Sequence, residues 1–165
     1  MMIQYQYFNT PFGELKLASF NDNLIMCDWR HRTARNRVDQ RLQKNFGVES
    51  LQKDNEILST TRQQLNEYFT STRKQFTLPI QLIGTDFQKK VWHGLMKIPY
   101  GKTCSYLELA TQLAQPSAVR AVANANGANA LSIIVPCHRI ITNTGSLGGY
   151  AGGLPAKAKL LDLEK

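Results

Sequence analysis

In Val135-Pro136-Cys137-His138-Arg139 a thiol and an imidazole stand side by side at the end of an apolar run. A free thiol with a pKa of about 8.5 is mostly protonated at neutral pH, and only the thiolate is a strong nucleophile. An imidazole can take its proton, and a carboxylate can orient that imidazole. Acidic candidates are few in this half of the chain: Asp86, Glu108, Asp162 and Glu164. Side chains adjacent in sequence need not face each other, so a water between thiol and imidazole fits the pair. The plain alternative is that Cys137 is a small buried hydrophobe, as free cysteines usually are. The residues alone leave both open.

Other chemistry is sparse. Gly101-Lys102-Thr103 resembles the end of a phosphate loop, but that pattern needs a glycine where Met96 stands, so a turn is expected. The three cysteines, Cys27, Cys104 and Cys137, show no C-x-x-C spacing. Cys27 with His31 makes one edge of a metal site without partners, and a structural zinc needs four ligands. No metal is expected.

Several elements must position Cys137. Ala128 to Val135 reads as extended and increasingly apolar, delivering the chain to Pro136. Beyond it, residues 143–153 hold five glycines, a loop whose backbone needs positive φ or close approach. Before it, Thr85-Asp86-Phe87-Gln88 and Ser105-Tyr106-Leu107-Glu108 are capping-box patterns. The first opens a helix with an apolar stripe of Phe87, Val91, Leu95 and Ile98 that ends before Pro99. The second opens a helix running to Ala114. After Pro116, Ser117 is placed to cap a third helix ending near Asn126, giving a helix-turn-helix. That third helix is alanine-rich with Arg120 as its one cation, too poor in long polar side chains for a major-groove reader. It reads either as a core helix or as a minor-groove docking helix with one inserted side chain. A last helix carries Leu160, Leu161 and Leu163 and reaches Glu164.

The N-terminal half reads as a β-meander of Ile3–Phe8, Glu14–Phe20 and Leu24–Trp29, with Leu15 and Leu17 on one face. Arg30, Arg32, Arg35, Arg37 and Arg41 follow in a segment expected to be a solvated helix face or loop. A helix is expected over Ile57–Phe69, then a linker before Gly84. The class is α+β: residues 1–80 form an α/β domain with an antiparallel sheet, and residues 81–165 a mostly helical domain. With 20 Lys and Arg against 12 Asp and Glu, the net charge of +8 favours polyanionic partners. No apolar run is long enough to span a bilayer and no signal peptide opens the chain, so a cytoplasmic location is expected.

Taken together in order, these motifs resemble the O6-alkylguanine-DNA alkyltransferases, also called methylated-DNA–protein-cysteine methyltransferases, of the bacterial constitutive type. The likeness is weak at Thr10-Pro11-Phe12-Gly13-Glu14-Leu15 and strong from Phe87 to Glu164. It runs through Ile98-Pro99-Tyr100-Gly101, Ser105-Tyr106, Arg120-Ala121-Val122, Asn129, Val135 to Arg139, and Gly149-Tyr150-Ala151-Gly152-Gly153. The resemblance implies single-turnover DNA repair on a flipped base, with no cofactor. Cys137 would accept the alkyl group, His138 would act as base through a water, and Glu164 would fix the imidazole. Tyr106 would assist flipping and offer its phenol to the leaving guanine, and Arg120 would fill the gap in the stack. Ala121, Ala123 and Asn124 would dock on double-stranded DNA in the minor groove. Asn129 would brace the cysteine turn, and Tyr150 with Gly152-Gly153 would wall the base pocket. Ala151 and Ser132 stand where some relatives carry a hydroxyl and a proline, implying tolerance of larger alkyl groups and of O4-alkylthymine. The protein would act as a monomer. A non-catalytic binder of alkylated DNA would lack the cysteine, and a cysteine hydrolase would turn over and leave the alanine-rich helix unexplained.

Overall fold

A computed structural model describes residues Met1–Lys165 and divides into two compact units, Met1–Ile83 and Gly84–Lys165. In the first, strands β1 (Ile3–Thr10), β2 (Gly13–Phe20) and β3 (Asn23–Trp29) form the expected antiparallel meander. Asn21 and Asp22 both adopt positive φ, 51° and 63°, as a two-residue hairpin turn with right-handed strand twist requires. Leu15, Leu17 and Leu24 are fully buried, and helix α2 (Glu56–Phe69) covers that sheet with Leu58, Leu65 and Tyr68. The Asn55 side chain caps α2 by accepting from the Leu58 N–H at 3.0 Å. A fourth strand, β4 (Ser50–Gln52), pairs parallel to β1 at the sheet edge. Sequence reasoning does not find it, because three residues are too few to show alternation.

The arginine-rich segment is a helix, α1 (Arg35–Phe46), preceded by turns. It is less solvated than expected. Asp28 is fully buried, and Arg32 and Arg35 meet its carboxylate at 3.0 and 3.2 Å. Arg30 meets Glu14 at 3.1 Å and lies over the Tyr7 ring. Arg32 and Arg35 are thus structural partners of Asp28, whereas Arg37 is exposed.

In the second unit both capping boxes form as read: Thr85 with Gln88 opens α3 (Asp86–Met96), and Ser105 with Glu108 opens α4 (Tyr106–Gln112). Helix α5 (Val119–Gly127) packs against both. The Trp92 indole donates to the Ala125 carbonyl at 2.8 Å, pinning α3 to α5 through a buried bond. Ser117 is not the cap of α5. The helix starts two residues later from Ala118 with no side-chain cap, because Pro116 and Ser117 belong to the preceding turn. A short parallel pair, β5 (Cys104–Ser105) and β6 (Ile140–Ile141), ties the start of α4 to the segment after Arg139. Helix α6 (Leu154–Leu163), with proline in its first turn, ends the unit.

One expectation fails. Residues 128–135 are not extended but a chain of tight turns. Ile133 takes φ 73° while the Ile134 N–H donates to the Ser132 carbonyl at 2.8 Å. The apolar run reflects burial, with Leu131, Ile133 and Val135 almost inaccessible, and burial does not separate a strand from a packed turn.

Candidate active site

The turns from Asn129 onward determine how Cys137 is held. Asn129 is buried, and its amide donates to the Val135 carbonyl at 2.9 Å while its oxygen accepts from the Leu131 N–H at 2.9 Å. One side chain thus replaces the ladder bonds a strand would have made. Pro136, at φ −79° and ψ 63°, is the centre of an inverse γ-turn closed by the Cys137 N–H on the Val135 carbonyl at 2.7 Å. Cys137, His138 and Arg139 then make one turn of 3₁₀ helix.

His138 is inaccessible to solvent, and its Nε2 lies 2.7 Å from Glu164 Oε2. An ionised carboxylate accepts, so Nε2 carries the hydrogen and the lone pair is on Nδ1. Nδ1 has no protein partner. Burial pushes the His138 pKa below its ordinary value, opposed by the bond to Glu164 and assisted by the nearby Arg139 and Lys157 charges. The imidazole is therefore neutral at pH 7 with a free basic nitrogen, the state a general base requires.

Glu164 is itself clamped. Arg139 donates through Nε to Oε1 at 2.8 Å and through its terminal nitrogen to Oε2 at 3.0 Å, a fork that matches the carboxylate. The other arm of Arg139 reaches the Ile98 carbonyl at 2.7 Å. The Gly101 N–H approaches Oε1 at 3.4 Å, and a Cβ at Gly101 (φ 79°) would stand 2.7 Å from the Glu164 carbonyl oxygen. Only glycine allows that approach.

Two further side chains are electrostatically coupled to Cys137. Burial and the charge of Cys137 raise the Tyr106 pKa, so this phenol stays a hydrogen donor. A Cβ at Gly148 (φ 71°) would lie 3.4 Å from the Tyr106 hydroxyl, so the glycine loop runs against this tyrosine. Lys157 is fully buried, and its ammonium donates to the carbonyls of Leu147 and Gly149. Burial lowers its pKa to about 8, while the nearby Cys137 acts in the opposite direction. No group of three or more histidine, cysteine or acidic side chains is arranged to hold a metal ion.

Comparison with known proteins decides the family. The model described as 6-O-methylguanine DNA methyltransferase, ribonuclease-like domain, matches residues 3–82, and that of the DNA binding domain matches residues 86–165. The chain belongs to the 6-O-methylguanine DNA methyltransferase family. A methylated-DNA–protein-cysteine methyltransferase of Mycobacterium bovis is 41% identical over 99% of this chain and 93% of that relative. The constitutive one of Bacillus subtilis is also 41% identical, over 99% of this chain and 96% of that relative. A Mycobacterium tuberculosis protein solved in complex with DNA superposes with a TM-score of 0.84 at 40% identity, covering 98% of this chain and 92% of that one.

Within this family frame, Cys137, His138, Glu164 and Tyr106 gather in one place although they span more than fifty residues of sequence. Arg120, Ala121 and Asn124 lie on the exposed face of α5, and Ala123 is half-buried beside them. Tyr150, Ala151, Gly152 and Gly153 are half-buried in the loop that leads into α6. Ser132 is wholly buried in the turn beneath Asn129. Sequence reasoning passed over Arg139 and Lys157. The first could have been found as the basic neighbour of His138, and the second by its helical spacing from Glu164.

Proposed function

We propose that this chain repairs DNA directly by moving the alkyl group of O6-alkylguanine onto Cys137 and is consumed by doing so. The observation that carries the proposal is the buried His138, tied through Nε2 to a clamped Glu164 and keeping Nδ1 without a protein partner. It stands beside a buried thiol in a chain of the methyltransferase family.

The alkylated oxygen is inaccessible inside a duplex, so the nucleotide must rotate out, at a few kcal/mol and least for a weakly paired lesion. The outer face of α5 suits minor-groove docking. Ala121, Ala123 and Asn124 allow close approach, and Arg120 is free to enter the stack in place of the flipped base. The pocket wall is assigned to Tyr150 and the Gly152-Gly153 backbone, and the support of the cysteine turn to Asn129. His138 Nδ1 takes the Cys137 proton through a bridging water. The Sγ–carbon bond then forms as the carbon–O6 bond breaks, and the electron pair stays on guanine. The base takes up a proton with the Tyr106 phenol as donor, and the proton held on His138 restores the balance through the same water. A thioether has no easy return path, so each molecule reacts once. No cofactor enters these steps.

Ala151 brings no hydroxyl into the wall, so we assign tolerance of alkyl groups larger than methyl and of O4-alkylthymine. No helix is long and apolar enough to cross a membrane, and the proposed setting is the cytoplasm, with one monomer acting on alkylated duplex DNA. Duplex carrying a labelled methyl on guanine O6 tests the proposal. Label should pass to protein at most once per molecule, and none should pass with Cys137→Ala. Repeated turnover, or transfer by that variant, excludes it.

A further inference from the structure

Lys157 is buried at the same site, yet the steps above give it no task. Helix α6 turns Lys157, Leu160 and Glu164 inward at spacings of three and four residues, with 0, 0 and 3% exposure. That spacing places all three on one helix face, with about 10 Å along the axis between the first and last. The helix packs on the Cys137–Arg139 turn, with Glu164 against His138 and Arg139. Lys157 therefore reaches the other end of the same site, where it holds the loop through Leu147 and Gly149.

Both of its acceptors are neutral carbonyls, and no carboxylate pairs with it. A buried ammonium without an anion is costly, so an anionic neighbour stabilises its charged form. Of the ionisable groups at this site, Cys137 and His138 on the turn interact electrostatically with Lys157, while Tyr106 on α4 is coupled to Cys137 and Glu164 caps the end of α6. Glu164 is committed to His138 and Arg139, and Tyr106 is held in its protonated form. Only Cys137 remains able to become the anion.

We propose that Lys157 is the counter-charge of the Cys137 thiolate and, through the same ammonium, the tether of the Leu147–Gly149 loop. It is a positioning residue that favours ionisation of the nucleophile and fixes the loop leading to Tyr150. The proposal deepens the alkyl-transfer reading and rests on it for the use of the thiolate, but its test needs no DNA. The direction of the electrostatic coupling agrees, since Cys137 holds the lysine charge up against burial.

The measurement is the rate of Cys137 alkylation by iodoacetamide as a function of pH, read by peptide mass mapping to exclude Cys27 and Cys104. Lys157→Met should move the midpoint up by about one unit, roughly a tenfold loss of thiolate at neutral pH. Lys157→Arg should recover most of that shift. If the methionine variant does not fold, Lys157 is followed instead by NMR of isotope-labelled lysine in the native chain and in Cys137→Ser. Its midpoint should fall when the anion can no longer form. A folded Lys157→Met protein with an unmoved thiol midpoint overturns the proposal, as does a lysine midpoint indifferent to Cys137→Ser. Absence of methyl transfer from DNA with these couplings intact would instead overturn the function and leave the pair standing.

Discussion

Glu164→Gln keeps the shape of the side chain and removes its charge, so it isolates what the carboxylate does. Oε2 accepts from His138 at 2.7 Å and Arg139 at 3.0 Å, and Oε1 accepts from Arg139 at 2.8 Å with Gly101 at 3.4 Å. An amide has one oxygen, so its NH₂ must confront one of these donor pairs. If it faces His138, relief comes by moving the imidazole proton to Nδ1, so that Nε2 accepts. That removes the lone pair the thiol proton needs. The wrong tautomer in a comparable triad lowers the rate about 10⁴-fold, and we expect a loss on the order of 10³–10⁴ in single-turnover methyl transfer. Arg139, 8% exposed, also loses its counter-charge, and breaking a buried pair costs about 3–5 kcal/mol. The assays are single-turnover transfer of labelled methyl, urea unfolding, and ¹⁵N NMR of the His138 ring. A folded Glu164→Gln protein that transfers within a few fold of the native rate, or keeps its proton on Nε2, contradicts this role of the carboxylate.

Three other outcomes follow from the same geometry. His138 is held below its ordinary pKa by burial, so the unfolded chain binds its proton first as pH falls. The stabilising contribution is complete above about pH 6.5 and shrinks below it; urea midpoints measured across that range should decline toward acid, more steeply than in His138→Gln. Asn129→Ala abandons two buried backbone groups and should lower unfolding free energy by about 2–4 kcal/mol, measured by the same denaturation. Arg120→Ala changes an exposed side chain, so stability should stay within about 0.5 kcal/mol. Repair should slow at least tenfold, and the salt dependence of DNA binding should lose about one unit of slope if the side chain also meets a phosphate.

What could be read from the sequence was local. The boxes at Thr85 and Ser105 specify helix starts by residue type at fixed spacing, and the structure forms both. The meander was legible through Leu15 and Leu17 and the Asn-Asp turn. Where the outcome depended on distant partners, the sequence was silent or misleading. The run before Pro136 looked like a strand because its apolar residues are buried, but a single Asn129 side chain satisfies the backbone that a strand would have paired. The arginines after Trp29 looked solvated because nothing local announces that Asp28 is a buried partner for two of them. At the site, Cys137 and His138 were visible as neighbours. Selecting Glu164 from four acidic candidates needed the family resemblance. Arg139 and Lys157 carry local signals, as the basic neighbour of His138 and by helical spacing from Glu164, but what they hold depends on α6 folding back on the turn.

The central claim is that Cys137 itself receives the alkyl group. It is tested most directly by mixing the protein with a slight excess of duplex containing one O6-methylguanine, then mapping the digested protein by mass spectrometry. One added methyl is expected on the peptide bearing Cys137 in every active molecule, with unmodified guanine restored in the DNA. Methyl on Cys27, on Cys104 or in free solution, with Cys137 unmodified, would contradict it.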